Sequence, residues 1–464
     1  MPDVLNCYEN KIIKNSKLPP EWQSQHDLDE FQEFLQRNWE QRSVFFDDGE
    51  ITSRQQYIKF TERGGLRTNS YIGTVVFKGR QLNIFPKVFR EERDDDDITA
   101  LNLKHLMENL VQWLQYCTRI NYPFLSITAD LENNDNLRDL FITLYLHYVK
   151  KALAQSPFYR YEEKVEDLSV VKGSIDFKDY VGRKIPKGLE NKFRCVYSEF
   201  EYDNIVNRII KYTCKGLAND VTGENRKILR YILIRLNEVS DVRCLPSDCD
   251  EIKLSKLHRQ YSMILSMSKM FLLNRTTAYT INNQESFCFL FPTELLFEGF
   301  IGGFISTLLQ DRAKVTLQAS DMFVFSDLYI DNVSQGELLK MRHDILVDDK
   351  EKGIYILDTK YKELSRFTDQ DPDSLRSIIN TETNQGDVYQ MIAYAHRRGV
   401  KDVYLLYPMY RYEEDDNRIV YGTSPAATGI TDVNVHFLRI PFIFEEDKDY
   451  TKKSLEKAIL RIFD

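Results

Sequence analysis

The 464-residue sequence is sparing with the residues that break or staple a chain: it has 13 Pro, 19 Gly and seven Cys. Against so few breakers stand 42% hydrophobic residues, with 28 Phe and 27 Tyr. That balance excludes a disordered or fibrous chain and predicts packed cores. The cysteines (Cys7, Cys117, Cys195, Cys214, Cys244, Cys249 and Cys288) are odd in number, scattered, and contain no C-x-x-C pair. A disulfide framework and a zinc site are therefore not expected, and the thiols read as reduced. No apolar run approaches the roughly 20 residues that a membrane helix needs. The N-terminal stretch MPDVLNCYENKIIKN also lacks the apolar centre of a secretory signal, so a cytoplasmic protein without membrane contact is expected. Nor is there a G-x-x-x-x-G-K-[ST] phosphate loop, so any nucleotide-driven motor must be a partner. Positive charge is in deficit too, 62 Lys and Arg against 71 Asp and Glu for a net charge of −9. This argues against nonspecific coating of nucleic acid, yet leaves room for an enzyme whose basic groups line one cleft. Two acidic runs, 91–97 and 413–416, read as solvated loops.

What is present divides into three blocks, since a chain this long exceeds one core and predicts about two to four domains. Residues 1–100 read as a β-rich domain: Tyr71-Ile72-Gly73-Thr74-Val75-Val76-Phe77 and Gln81-Leu82-Asn83-Ile84-Phe85 flank the turn Lys78-Gly79-Arg80 as a hairpin. Residues 101–280 read as mainly helical, opening on Leu103, Leu106, Leu110, Trp113 and Leu114 at helical spacing. Further helices are expected around Leu137–Leu144, over 203–217 and 223–238, and around Leu257–Phe271. Their aromatic and Met positions read as core. Residues 281–464 read helix, strand, strand, helix, strand, over 294–309, 338–347, 354–361, 387–396 and 402–407. The fold class expected is a multidomain mixture of α/β and β.

The last block carries the chemistry. Asp344 lies near the end of one strand, and the return strand Ile354-Tyr355-Ile356-Leu357-Asp358-Thr359-Lys360-Tyr361 puts Asp358 and Lys360 on one face, because strand side chains alternate. Burying two carboxylates and a lysine costs several kcal/mol unless they pair or bind a metal. Asp344 and Asp358, with the backbone oxygen of Thr359 nearby, make a hard oxygen set suited to Mg²⁺, or to Mn²⁺ in its place. A lysine beside such a metal can position the attacking water and offset charge developing on a phosphodiester. The bland alternative is two turn-capping aspartates and an ordinary ion pair. Glu298 sits in the apolar helical text Leu295-Leu296-Phe297-Glu298-Gly299-Phe300, where it is either a further carboxylate of the site or a local salt-bridge partner. Gln390 and Tyr394, four apart, share a helix face. His343 points to the opposite strand face from Asp344 and reads as structural.

Asp344, Asp358-Thr359-Lys360 and Gln390-x-x-x-Tyr394 together resemble the PD-(D/E)xK nucleases, the restriction-endonuclease-like superfamily, in the branch that shares the Q-x-x-x-Y helix. Along most of its length the sequence is similar to the McrC family. The landmarks are Tyr71-Ile72-Gly73-Thr74-Val75-Val76, Ile84-Phe85-Pro86-Lys87, Val171-Lys172-Gly173-Ser174-Ile175, Glu199-Phe200-Glu201-Tyr202-Asp203-Asn204-Ile205-Val206-Asn207-Arg208, and Leu296-Phe297-Glu298. Where that family commonly has Arg-Pro-Asp, this chain has Arg342-His343-Asp344, which keeps the carboxylate. The resemblance implies an Mg²⁺-dependent endonuclease subunit of a modification-dependent restriction system, active on modified double-stranded DNA. It further implies a McrB-like AAA+ ring as partner, which binds and hydrolyses GTP and which the region 41–88 contacts and stimulates. In that reading Asp344, Asp358, Lys360, Glu298, Gln390 and Tyr394 serve the cleavage. A second possibility of a different class is a non-catalytic regulator that activates such a ring and only touches DNA.

Overall fold

The computed structural model describes residues 4–40, 42, 53–90, 100–117, 137–254, 258–280, 287–331, 333–368, 370–410, 418–425, 432–445 and 447–463. The acidic runs at 91–97 and 413–416, and positions 41 and 43–52 of the expected contact region, lie outside the described residues. The chain divides into two compact units, one made of residues 1–135 with 284–464 and the other of residues 136–283.

In the first unit β1 (Val4–Tyr8), β2 (Tyr71–Phe77) and β3 (Arg80–Phe85) form the expected hairpin plus a parallel neighbour, in the order β1-β3-β2. Lys78 and Gly79 both take positive φ, 50° and 71°, the turn whose twist matches two right-twisted strands. Helix α1 (Ala100–Tyr116) follows, and Trp113 anchors it by donating from Nε1 to the Phe442 carbonyl at 2.7 Å while stacking on the Phe442 ring. Then β4 (Phe287–Pro292), which in the sequence follows residues 136–283 of the other unit, pairs antiparallel with β2, Phe289 opposite Thr74. This closes a four-stranded sheet. The stretches 1–100 and 281–464, expected as separate domains, thus share one sheet. Helix α1, expected to open the middle region, belongs to this unit as well. Every residue of β2 is buried, so both faces of the strand are covered, and its largely apolar text reads so for that reason.

Helix α2 (Thr293–Leu308) leads into a six-stranded sheet made of β5 (Ala313–Phe325), β6 (Leu338–Asp349), β7 (Gly353–Thr359), β8 (Asp402–Pro408), β9 (Val420–Ser424) and β10 (Val433–Ile440). The strand order is β5-β6-β7-β8-β10-β9. The pairs from β5 to β7 and the β9–β10 pair are antiparallel, while β7–β8 and β8–β10 are parallel. A parallel step demands a crossover, and helix α3 (Gln385–Arg398) lies within it. Asn384 caps its start by accepting from Gly386 N–H, and Gly399 ends it at φ 68°, the left-handed exit that glycine makes without strain. Its inner face, Met391, Tyr394 and Ala395, packs with Ile356, Val403, Leu405 and Val435 of the sheet. No described helix is long and apolar enough to cross a membrane.

The second unit holds the helices expected of the middle region, Leu137–Gln155, Ile205–Gly216, Gly223–Arg235 and Arg259–Thr280. It also holds an unforeseen three-stranded antiparallel sheet of Arg160–Leu168, Ser174–Ile175 and Phe193–Glu201. The landmark Tyr202-Asp203-Asn204 is a helix start. Asn204 accepts from Asn207 N–H at 3.2 Å, and Asp203 takes Arg208 Nε at 2.7 Å and Ser240 Oγ at 2.5 Å. The Arg208 contact foremost, then the Ser240 bonds, hold the Asp203 carboxyl down at about 2 despite partial burial. A lowered carboxyl pKa contributes stability that is present above the unfolded value near 4 and lost as pH falls toward the folded one. Asp203→Asn should therefore lower stability by ~1–2 kcal/mol at neutral pH, with the deficit shrinking below about pH 4. Unfolding midpoints at pH 7 and pH 3 test this, and a deficit unchanged at pH 3 would remove the charge as its cause.

Candidate active site

The site forms where the β6–β7 ladder ends. Its last rung is Ile345 opposite Leu357, so the next residues outward, Asp344 and Asp358, come from neighbouring strands at the same level. Thr359 ties them: its N–H and its hydroxyl both donate to Asp344 Oδ2, each at 3.0 Å. Lys360 lies just past the end of β7, yet its N–H still donates to the Leu406 carbonyl of β8 at 2.8 Å. Its Nζ lies 2.6 Å from Asp358 Oδ2 and 3.8 Å from Asp387 Oδ1. The alternation that placed Asp358 and Lys360 together thus extends one residue beyond the strand.

Asp358 is 2% exposed. Burial, then the Asp344 charge, push its carboxyl up to about 7, with Lys360 offsetting only part of the effect. Burial by itself would pull the Lys360 ammonium down, but Asp358, Asp387 and Asp344 together outweigh it, and its pKa is raised. The lysine is a fixed cation here, and the carboxylate is the group held in an unfavourable state.

Glu298 of α2 reaches the site through an intermediary. Gln318 Nε2 donates to Glu298 Oε1 and, at 3.3 Å, to Asp344 Oδ1, while Arg342 Nε donates to Gln318 Oε1. Gln318 has φ 52°, and the β5 register shifts just beyond it, between Ala319 and Met322. Such a bulge re-aims a side chain that plain alternation would send elsewhere. Gln390 Nε2 donates to the Tyr394 hydroxyl at 2.7 Å, and that hydroxyl donates to the Arg342 carbonyl at 2.8 Å. The pair therefore fastens α3 to β6 two residues before Asp344 and does not itself hydrogen-bond Asp358 or Lys360. His343 is buried with Nδ1 at 3.2 Å from the Ala319 carbonyl and its ring 4.5 Å from that of Tyr394. Burial lowers its pKa, consistent with a structural imidazole.

Gln318, Arg342 and Asp387 were not singled out in the sequence. Arg342 shares Asp344's strand face by the period of two, and Asp387 stands three before Gln390 on one helix face, so both had a local signal. Gln318 had none, because its placement comes from the bulge. As a donor set, Asp344 and Asp358 offer hard oxygen ligands, and Glu298 is one amide away. Among the described residues no group of three or more His, Cys, Asp or Glu is gathered closely enough to hold a metal ion by itself. Two carboxylates with positions left for water and phosphate oxygens are how Mg²⁺ is commonly held, so these residues fit that ion.

Fold and site together define a multidomain α/β protein with a paired-carboxylate and lysine centre at the ends of two inner strands of a mixed sheet. The family described as McrBC 5-methylcytosine restriction system component matches residues 66–408, and the chain belongs to it. Among curated proteins none matches the sequence. Among solved structures it is similar to a chain in the refined half-complex from the tetradecameric assembly of Thermococcus gammatolerans McrB AAA+ hexamers with bound McrC. There the TM-score is 0.64 at 15% identity, over 99% of this chain and 100% of that one. A chain of the Thermococcus gammatolerans McrBC complex, solved by cryo-EM, matches at TM-score 0.46 and 16% identity, over 66% of this chain and 88% of that one. At such identities the likeness is one of fold, and the first match carries it.

Proposed function

We propose that the chain is the endonuclease subunit of a McrBC-like restriction complex, with a PD-(D/E)xK site that hydrolyses DNA phosphodiesters with Mg²⁺, or Mn²⁺ in its place. The observation that carries this reading is Asp358, a deeply buried carboxylate held beside Asp344 with its pKa forced upward. Folding gains nothing from that crowding, and perturbed carboxylates of this kind mark sites that wait for a cation. Asp344 and Asp358 would hold the ion, with the Thr359 carbonyl beside them. Bound there, Mg²⁺ would supply Lewis acidity to the phosphate and a more acidic water. Thr359 and Gln318 orient Asp344; Asp358 orients Lys360. The Lys360 ammonium is placed to hold the attacking water and to offset charge gathering on the phosphodiester. Glu298, through Gln318, and Gln390 with Tyr394 keep the two strands and the flanking helices in register.

The partner in this reading is a McrB-like AAA+ ring that binds and hydrolyses GTP, and the substrate is double-stranded DNA carrying 5-methylcytosine. The family description names that base, and the similar solved chain belongs to an assembly of McrB AAA+ hexamers with bound McrC. Stimulation of the GTPase would come from docking. Because the side chains of β2 are core, a contact by the 41–88 region falls to the segments around the hairpin. The test combines the purified chain with its AAA+ partner, GTP, Mg²⁺ and methylated or unmethylated duplex DNA. Strand breaks confined to the methylated DNA and dependent on all components are expected. Stimulated GTP hydrolysis without breaks would favour a regulator and sink the nuclease reading.

A further inference from the structure

Glu9 is 3% exposed and stands just past the end of β1, where its N–H donates to the Phe85 carbonyl at 2.8 Å. Its side chain accepts from three distant parts of the sequence. Lys87 N–H donates to Oε1 at 2.9 Å, the Thr293 hydroxyl to Oε2 at 2.8 Å, and the Tyr361 hydroxyl to Oε1 at 2.9 Å. Tyr361 is gripped at a second point by Lys87, whose Nζ donates to its carbonyl at 3.5 Å and lies 5.0 Å from its ring centroid. Tyr361 is itself buried, and it directly follows Lys360.

A buried carboxylate is expensive unless its oxygens are satisfied, and apolar residues of similar size often serve stability as well or better. What a carboxylate adds is direction, since it fixes where each donor points. Lys360 is bonded into the sheet by its N–H on the Leu406 carbonyl at 2.8 Å, and at Tyr361 the backbone makes a tight turn in which Lys362 N–H donates to the Lys360 carbonyl at 2.8 Å. Locking the Tyr361 side chain therefore fixes the turn that leaves Lys360, whose ammonium is aimed at Asp358. We propose that Glu9 is a positioning residue for the active-site lysine, acting through Tyr361 and joining the N-terminal sheet to the geometry of the cleavage site. This rests on the nuclease reading given above. It makes a correctly formed N-terminal sheet a condition for an ordered catalytic strand.

The test uses the full chain and three variants: Tyr361→Phe, which removes one hydroxyl, Glu9→Ala, and Glu9→Gln. In the last, Oε1 can keep the Lys87 and Tyr361 donors while the Thr293 hydroxyl turns to accept from Nε2. Amide hydrogen exchange is followed by mass spectrometry in the peptide covering 358–362. Turnover and KM are measured for methylated DNA with the AAA+ partner, GTP and Mg²⁺. Tyr361→Phe and Glu9→Ala should speed exchange in that peptide and cut turnover about 10- to 100-fold, the scale of a small misplacement of reacting groups, with KM for DNA unchanged. Glu9→Gln should restore exchange and most of the turnover. Exchange at 358–362 equal to wild type in Tyr361→Phe overturns the proposal, as does faster exchange with undiminished turnover, or a loss expressed only in KM. If the wild-type complex cuts no DNA, the nuclease reading fails, while exchange at Lys360 still decides whether Glu9 sets its position.

Discussion

Replacing Asp358 with Asn is expected to abolish DNA cleavage and, in the same molecule, to make the metal-free protein more stable. Asn keeps the shape of the side chain and removes the charge that burial and Asp344 disfavour. With its pKa raised above the unfolded value, the folded state holds this proton more tightly than the unfolded chain does. Wild-type stability therefore falls as pH rises from about 4 to about 7. The Asn variant lacks that loss, so its unfolding midpoint should match wild type below about pH 4 and exceed it at pH 8. Lys360, deprived of its close partner, still has Asp387 at 3.8 Å. Added Mg²⁺ should raise the wild-type midpoint by mass action and leave that of the variant unmoved. Loss of a metal-holding carboxylate should reduce cleavage by about 10³-fold or more, several kcal/mol of barrier. Retained cutting would remove Asp358 from the chemistry. A variant less stable than wild type at pH 8 would show that the Lys360 ion pair outweighs the crowding.

Gly73→Ala should be strongly destabilising. Gly73 lies in the middle of β2 at φ 136°, and a Cβ there would stand 2.0 Å from the Phe289 carbonyl oxygen of β4. Both obstacles are backbone, so no side chain can swing aside. The strand must abandon either its conformation or its pairing. A loss of ~3–5 kcal/mol is expected, combining backbone strain with overpacking. Gly79→Ala is the control: it too has positive φ, 71°, but a Cβ there meets nothing within 4 Å, so ~1 kcal/mol is expected from conformation alone. Denaturant midpoints of the two variants measure the difference. Equal midpoints would mean that the approach of Phe289 is not the constraint. Since the β2–β4 pairing joins the stretch 1–135 to the stretch 284–464, Gly73→Ala should also disorder the sheet that carries Glu9.

Much of the site was legible because its signals are local. Strand alternation puts Asp358 and Lys360 on one face whatever surrounds them, and Gly353 at φ 97° ends the turn that sets the strand carrying Asp344 beside its return partner. Helix α3 was legible from its periodicity, although it begins two residues before and ends two after the expected 387–396. Strand β5 was not read, because its bulge at Ala319/Met322 interrupts the period of two. The late strands β9 and β10 were missed as well. The roles of Gln390 and Tyr394 sharpened: their spacing gave a shared face, and the structure adds the Arg342 carbonyl that they hold.

By itself, then, the sequence determined the pairing of charge types on a strand, the helices and hairpins with a clean period, and the family to which they belong. Each of these depends on residues a few positions apart, within reach of backbone geometry. Only the tertiary structure decided that Phe287–Pro292 completes the N-terminal sheet, that Gln318 links Glu298 with Asp344 and Arg342, and that Glu9 grips Tyr361. Those contacts join residues separated by tens to hundreds of positions, and their partners are chosen by packing and by the need to satisfy buried polar groups, neither of which leaves a periodic trace in the chain.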